Sequence, residues 1–377
     1  MKVLSLMWGC GLGGVRTCFL TYARLSEIEP SLEIRSVCID VEATQSDVAA
    51  LRGGNVDVVS IRNRLDFSWL RKCASIIGSF SPDVIFTHGF NGPVVVEVLR
   101  RAYRLDIPML CSYHSEYQAP SANRRLIAPL FNGAMHWLYR KRAAGVLGVS
   151  AFTKRTLLGY GIPEGKIAYV LHGISERAVA RRSLSSLRPA LSVGPGCVVL
   201  GVASRLDAIK GLSYLIEALA MIREKCHVHL VVVGEGPEKE RLCELTRRLG
   251  LSGNVSFVGY QTNVSEWLEA MDVFCLPSLS ETLSLGLLEA LRAGKAIVAT
   301  HVGGIIEAVK DEQEALLVPP EQAPALATAI LRLADDATLR GELGANARKR
   351  FEGEFTESRM RRQLADWLLS FGKEREV

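Results

Sequence analysis

Paired cysteines, long apolar runs and leader-type N-terminal patterns are all missing from this 377-residue sequence. Its nine cysteines are scattered, odd in number and never spaced C-x-x-C. That argues against a disulfide framework and against a zinc ribbon, and it fits a reducing compartment. The longest uncharged stretches, Pro189–Ser204 and Leu126–Tyr139, fall short of the ~20 apolar residues that a spanning helix needs. The opening Met-Lys-Val-Leu-Ser-Leu-Met has no basic region, apolar core and small-residue cleavage site in that order, so a secretory leader is not expected and a cytoplasmic location is. Aromatic residues make up 7% of the chain and are not interleaved with its dispersed basic residues, so nucleic acid is not an expected partner. His and Cys lack ligand spacing, so no metal is expected either.

What is present describes a globular α/β protein. Apolar residues are 48% and charged residues 23%, an ordinary balance that excludes disorder and fibrous folds. The length suits two to three domains of about 150 residues. Charge is divided unevenly: residues 1–190 carry 24 Lys and Arg against 14 Asp and Glu, and residues 191–377 carry 21 against 26. The basic first half points to an anionic partner, such as a phosphorylated lipid or an anionic membrane surface. Leu126–Tyr139, flanked by Arg124-Arg125 and Arg140-Lys141-Arg142, has the composition of a segment that lies in a membrane interface; a buried helix with snorkelling ends is the alternative.

Short apolar runs at Val3–Met7, Ile34–Ile39, Val56–Ser60, Val84–Thr87, Met109–Tyr113 and Gly145–Val149 read as strands buried on both faces, which implies a parallel sheet. The texture breaks at Arg181–Pro195 and then restarts with Cys197–Ala203, His229–Val233, Ser256–Val258, Val273–Leu276 and Ala296–Ala299. Leu212–Ile222, Lys239–Leu249, Val264–Ala270 and Leu285–Ala293 read as the intervening helices, and Ala323–Gly372 is helix-like throughout. The expectation is two doubly wound α/β domains in series. Residues 1–190 would form the first and 191–357 the second, with a C-terminal helix of about 358–377 packing back on the first.

Three local patterns could carry chemistry. Gly9, Gly11 and Gly14 follow the first strand as G-x-G-x-x-G, with Asp40 after the next strand; alone, this is a weak dinucleotide fingerprint, and it keeps an NAD(P)-dependent oxidoreductase in view. Arg205 and Lys210 are delivered by a strand end into a loop that opens a helix, an arrangement suited to a diphosphate. Glu281 and Glu289 lie eight apart, the second in an apolar helix beside a glycine, where a carboxylate needs a hydroxyl or a cation as partner.

Their order decides among these readings. Arg205 and Lys210, then Glu281 and Glu289, then Val302-Gly303-Gly304-Ile-Ile-Glu307, resemble the family 4 glycosyltransferases of the GT-B fold. Ser81-Pro-Asp83-Val-Ile-Phe-Thr-His88, Ser112-Tyr-His114, Gly148-Val-Ser150-Ala-Phe-Thr-Lys154, Leu171-His172-Gly173-Ile174 and Val233-Gly234-Glu-Gly236-Pro237 extend the likeness over most of the chain. The resemblance implies two Rossmann-like domains facing a central cleft. It implies a retaining hexosyltransferase that moves a sugar from a UDP- or GDP-linked donor to a lipid-linked or saccharide acceptor in polysaccharide or glycolipid assembly. The enzyme would be cytoplasmic or peripheral on the inner face of the membrane. By resemblance, Arg205 and Lys210 grip the donor diphosphate, helped by the amides of Leu285 and Gly286. Glu281 contacts the transferred sugar and Glu289 the ribose. Gly13 and Gly14 approach the phosphates, Gly234 and Tyr260 lie at the base, and His114 sits near the reacting sugar. No D-x-D motif occurs, so the two cations stand in for a divalent ion and no cofactor is expected. GT-B epimerases and phosphorylases remain alternatives. Glu281-Thr-Leu-Ser replaces the usual Glu-Gly-Phe-Gly, Arg16 replaces the usual Glu after Gly13-Gly14, and His172 replaces the more common Asn.

Overall fold

The structure is a computed structural model that describes residues 1–9, 14–41, 51, 56–63, 65–114, 128–176, 193–194 and 196–373. The chain forms two compact units, one of Met1–His172 with Ser358–Val377 and the other of Gly173–Glu357. The expected boundary at 190/191 falls in a stretch outside the described residues.

The first unit holds seven strands: β1 (Lys2–Trp8), β2 (Glu33–Val41), β3 (Val56–Ile61), β4 (Val84–His88), β5 (Met109–Tyr113), β6 (Ala143–Gly148) and β7 (Ile167–Tyr169). They pair in the order β3-β2-β1-β4-β5-β6-β7, every pair parallel. The uniformly apolar runs are therefore explained: β4 and β5 are buried at every position. One face packs Leu4, Leu6, Ile85 and Met109 against the helices Ser68–Phe80 and Gly92–Tyr103. The other face packs Val3, Phe86 and Leu110 against Met360, Leu364 and Leu368 of the helix Glu357–Lys373. Trp367 meets Phe86 edge-on at 5.6 Å between ring centroids. Gly145 makes room for this helix, since a Cβ there would lie 2.6 Å from the Phe371 ring.

The second unit holds β8 (Val198–Ala203), β9 (Val228–Val233), β10 (Val255–Gly259), β11 (Val273–Leu276), β12 (Ala296–Thr300) and β13 (Leu316–Val318), in the order β10-β9-β8-β11-β12-β13. Again every pair is parallel. Both units thus have the Rossmann-like arrangement that the alternation implied, each with its strand order reversing beside its first strand. The same device sets the register at both reversals. Asp83, just ahead of β4, accepts from the Lys2 amide at 2.7 Å; Asp272, just ahead of β11, accepts from the Val199 amide at 2.8 Å.

Two expectations need correction. The helix-like tail is three helices, Ala323–Asp335, Ala337–Glu354 and Glu357–Lys373. Asp336 stops the first and caps the second by accepting from the Leu339 amide at 2.8 Å. Phe355 and Thr356 break the next junction, where the Ile174 amide donates to Phe355 and the Glu357 amide to Ile174. The edge strands β7 and β13 were not anticipated; each is three residues long.

Candidate active site

In the second unit the loops that follow β8, β9, β11 and β12 meet at the carboxyl edge of the sheet, where doubly wound folds bind ligands. Glycines let them lie backbone to backbone. Gly234 has φ +139°, and a Cβ on it would stand 1.9 Å from the Ser204 carbonyl oxygen. Gly211, at φ +64°, abuts the Pro277 carbonyl, which would be 2.1 Å from its Cβ. The Leu279 amide donates to Ile209 O at 2.8 Å, fastening the loop after β8 to the loop after β11.

That fastening brings Lys210 Nζ to 2.5 Å from Glu281 Oε1. Ser278 Oγ donates to the same oxygen at 3.0 Å, so among the described residues Oε2 keeps no hydrogen bond. The Gly304 amide donates to Glu281 O at 2.9 Å. Gly303 and Gly304 press on the backbone of Glu281-Thr282 so closely that a Cβ on either would lie within 2 Å of a carbonyl oxygen. Glu281 is buried, with 7% of its side chain exposed, and is held by three separate loops. The motif Val302-Gly303-Gly304 thus supports Glu281.

The helix Leu285–Arg292 starts beside this pair. Ser284 caps it, accepting from the Leu287 amide at 3.3 Å. Gly286 lets its first turn sit on the end of β8, where a Cβ would stand 2.5 Å from Ala203 O. The free amides of that turn face the edge where the loops meet, an environment that favours an anion. Glu289 is half-buried, and its carboxyl makes no hydrogen bond or ion pair among the described residues. Burial pushes its carboxyl above the ordinary range, and the Arg292 charge opposes this. Arg292 itself donates to Ser175 O at 3.0 Å and to Ser265 Oγ at 2.8 Å.

Arg205 behaves differently from Lys210. Its Nε lies 3.1 Å from Asp207 Oδ2, and 68% of its side chain is exposed. Of the two cations, Lys210 pairs with Glu281 and Arg205 with Asp207. Tyr260 is 54% exposed and follows Gly259, whose carbonyl accepts from the Gly234 amide at 2.8 Å. Gly234 and Tyr260 are thus neighbours at the ends of β9 and β10.

In the first unit, Gly13 lies outside the described residues and Gly14 opens the helix Gly14–Tyr22. His114 follows β5, with Nε2 2.5 Å from Ser112 Oγ and Nδ1 3.9 Å from the Cys18 sulfur. His172 lies on the same sulfur, at 3.4 Å through Nδ1. His88 ends β4 among the rings of Phe19, Tyr22 and Phe86. Burial pushes His114 down to about 4 and His172 down to about 3, and holds His88 well below the ordinary imidazole range. All three are neutral at pH 7. Sequence reasoning singled out His114 but missed Cys18, His88 and Ser112 as its surroundings. The signal available was polar residues closing otherwise apolar strands, at His88 and at Ser112.

Residues 197–336 match the model of the glycosyl transferases group 1, and residues 41–177 match that of glycosyltransferase family 4. This chain belongs to the GT-B glycosyltransferases. The lipopolysaccharide core biosynthesis glycosyltransferase LpsD of Rhizobium meliloti is 38% identical over 160 residues, 42% of this chain and 46% of that protein. The 2-deoxystreptamine glucosyltransferase of Streptomyces kanamyceticus is 25% identical over 323 residues, 81% of this chain and 82% of that protein. Among solved structures, Anabaena HepE in complex with UDP-glucose superposes with a TM-score of 0.85 at 22% identity, covering 98% of this chain and all of that one. This GT-B glycosyltransferase has no described helix long and apolar enough to cross a membrane. The oxidoreductase reading of the glycine loop lapses with the family assignment.

Proposed function

We propose that this enzyme is a retaining, metal-independent hexosyltransferase that uses a UDP- or GDP-linked sugar and acts on a hydroxyl of a lipid-linked or saccharide acceptor. The contact between Lys210 and Glu281 carries the reading. An ammonium has three N–H donors, so Lys210 can keep Glu281 and still hold a diphosphate. Charge grows on that diphosphate as the bond from C1 to oxygen breaks, and a preplaced cation stabilises the transition state more than the ground state. The open amides of the Leu285–Gly286 turn add to this. Glu281 Oε2 is free to accept from sugar hydroxyls. Glu289 is a half-buried carboxyl with no hydrogen-bond partner among the described residues and suits the paired hydroxyls of a ribose. Arg205, exposed to solvent, joins the diphosphate by leaving Asp207.

Retention follows from attack on the face that the diphosphate leaves. The acceptor oxygen bonds to C1 as the C1–O bond breaks, and the acceptor proton passes to a donor phosphate oxygen. The residues of the first unit agree with such a step: His114 is neutral, and both of its ring nitrogens face other side chains. The name of LpsD, a lipopolysaccharide core biosynthesis glycosyltransferase, supports this acceptor class. A lipid-linked acceptor also suits the helix Ala128–Lys141. It presents Leu130, 76% exposed, and Trp137 on its outer side and ends in Arg140 and Lys141. Cations near an anionic leaflet are worth about 1 kcal/mol each.

A panel of UDP- and GDP-sugars, followed for slow donor hydrolysis with and without a chelator, tests the donor class and metal independence. Activity on at least one donor, unchanged by the chelator, is expected; hydrolysis of none, or full dependence on a divalent ion, refutes them. The anomeric signal of the product by NMR tests retention. Flotation with anionic liposomes tests membrane association, which is refuted if no salt-sensitive binding appears.

A further inference from the structure

Ser112 and His114 stand two apart where β5 ends, so their side chains share one face of the first sheet. The helix Gly14–Tyr22 brings Cys18 to the same place, and His172 reaches it from the end of the unit's main segment. The four side chains meet in series. Ser112 Oγ lies 2.5 Å from His114 Nε2, His114 Nδ1 lies 3.9 Å from the Cys18 sulfur, and that sulfur lies 3.4 Å from His172 Nδ1. Ser112, Cys18 and His172 are each 3% exposed, whereas His114 keeps part of its surface open. His114 is therefore the member of this group that a substrate can touch, and the others can act on a substrate through it.

Counting protons assigns a direction to each contact. Both imidazoles are neutral at pH 7, so each carries one N–H and one lone pair. Among the described residues the Ser112 hydroxyl has His114 as its hydrogen-bond partner and no other. A buried hydroxyl proton without an acceptor is costly, so Ser112 donates to Nε2, and Nε2 holds the lone pair. The N–H of His114 is then on Nδ1 and points at the Cys18 sulfur, a weak acceptor. The thiol proton remains for His172, the nearer of the two imidazoles. Every contact thus runs the same way, from Ser112 through His114 and Cys18 to His172, and hydrogen bonds in such a series strengthen one another.

We propose that Ser112 is a positioning residue that acts through His114, fixing its ring as the Nδ1–H tautomer in a single orientation. The proposal rests on the transferase reading above, in which His114 lies near the reacting sugar. With both nitrogens occupied inside the unit, His114 packs against the sugar as a fixed, neutral wall. It does not take the acceptor proton, which is left to the donor phosphate.

Imidazole correlation NMR on the full chain with isotope-labelled histidine reads the tautomer, and His114→Asn assigns the signal. An N–H on Nδ1 with a bare Nε2 is expected at pH 7; an N–H on Nε2 overturns the proposal. Turnover gives an independent reading, with slow hydrolysis of a UDP- or GDP-sugar as the assay. In Ser112→Ala, kcat should fall about three- to tenfold, the span of one neutral hydrogen bond, while KM for the donor stays within about twofold. An unchanged kcat in a folded Ser112→Ala overturns the positioning role and leaves the transferase reading intact. Absence of donor hydrolysis by the unaltered chain refutes the transferase reading itself and takes the positioning role with it.

Discussion

Removing Lys210 should damage stability and turnover, and the two losses can be pulled apart. In Lys210→Ala the Glu281 carboxylate, 7% exposed, keeps only the Ser278 hydroxyl as a partner. Leaving one member of a buried pair uncompensated costs about 3–5 kcal/mol. Lys210 is itself 21% exposed, so water enters and the expected loss falls to roughly 2–3 kcal/mol. For a body of 150–250 residues each kcal/mol moves Tm by about 2–4 °C, giving a fall of roughly 5–10 °C by calorimetry. Adding Glu281→Gln removes the orphan charge and should restore most of that fall. Turnover should behave otherwise. A cation aimed at developing charge is worth about 10²–10³ in rate, and neither the single nor the double variant should recover it. If the double variant regained both stability and donor hydrolysis, Lys210 would serve only to neutralise Glu281. If Lys210→Ala left Tm unchanged, the buried-pair argument itself would fail.

Three further outcomes are expected. Gly286→Ala places a Cβ 2.5 Å from Ala203 O, a backbone atom that cannot yield, so UDP affinity should fall at least about tenfold and stability by about 1–3 kcal/mol, read by titration and urea midpoint. Leu364→Ala empties a fully buried position under the first sheet and should cost about 2–5 kcal/mol, also read by urea. The third concerns acid. His172 has a folded value of about 3 against about 6.5 unfolded, so the unfolded chain binds the extra proton and stability falls as pH drops below 6.5, finishing near 3. The slope is about 1.4 kcal/mol per pH unit for each such imidazole, and His172→Asn should remove that share between pH 6 and 4. An unchanged slope would show that His172 is protonated in the fold.

The strand pattern was readable because a sheet sheathed by helices needs apolar side chains on both faces, so the inner strands β1, β4, β5, β8, β11 and β12 announce themselves as mainly apolar runs, while β2 and β3 interrupt theirs with Arg35 and Asp57. β7 and β13 escaped because three residues at a sheet edge are too few to show a period. Lys210 and Glu281 were readable from spacing, and Gly303-Gly304 from the resemblance to the family, since one loop carries each group. The pairing of Arg205 with Asp207 is local, yet it depends on which way an exposed side chain turns, and composition is silent on that. The cluster around Cys18 draws on a helix, two strand ends and His172, separated by up to 154 positions. Only the folded sheet brings them together, so no short motif could have shown it.

The aspartates ahead of β4 and β11 have a wider consequence. Each ties down the amino rim of its sheet, while every group assigned here to substrate stands on the opposite rim. Architecture and selectivity are thereby entrusted to different shores of the same sheet. Loops bearing new acceptor or donor preferences could be transplanted onto this chassis without disturbing the struts that keep it upright, which makes the protein a candidate for retooling by loop exchange.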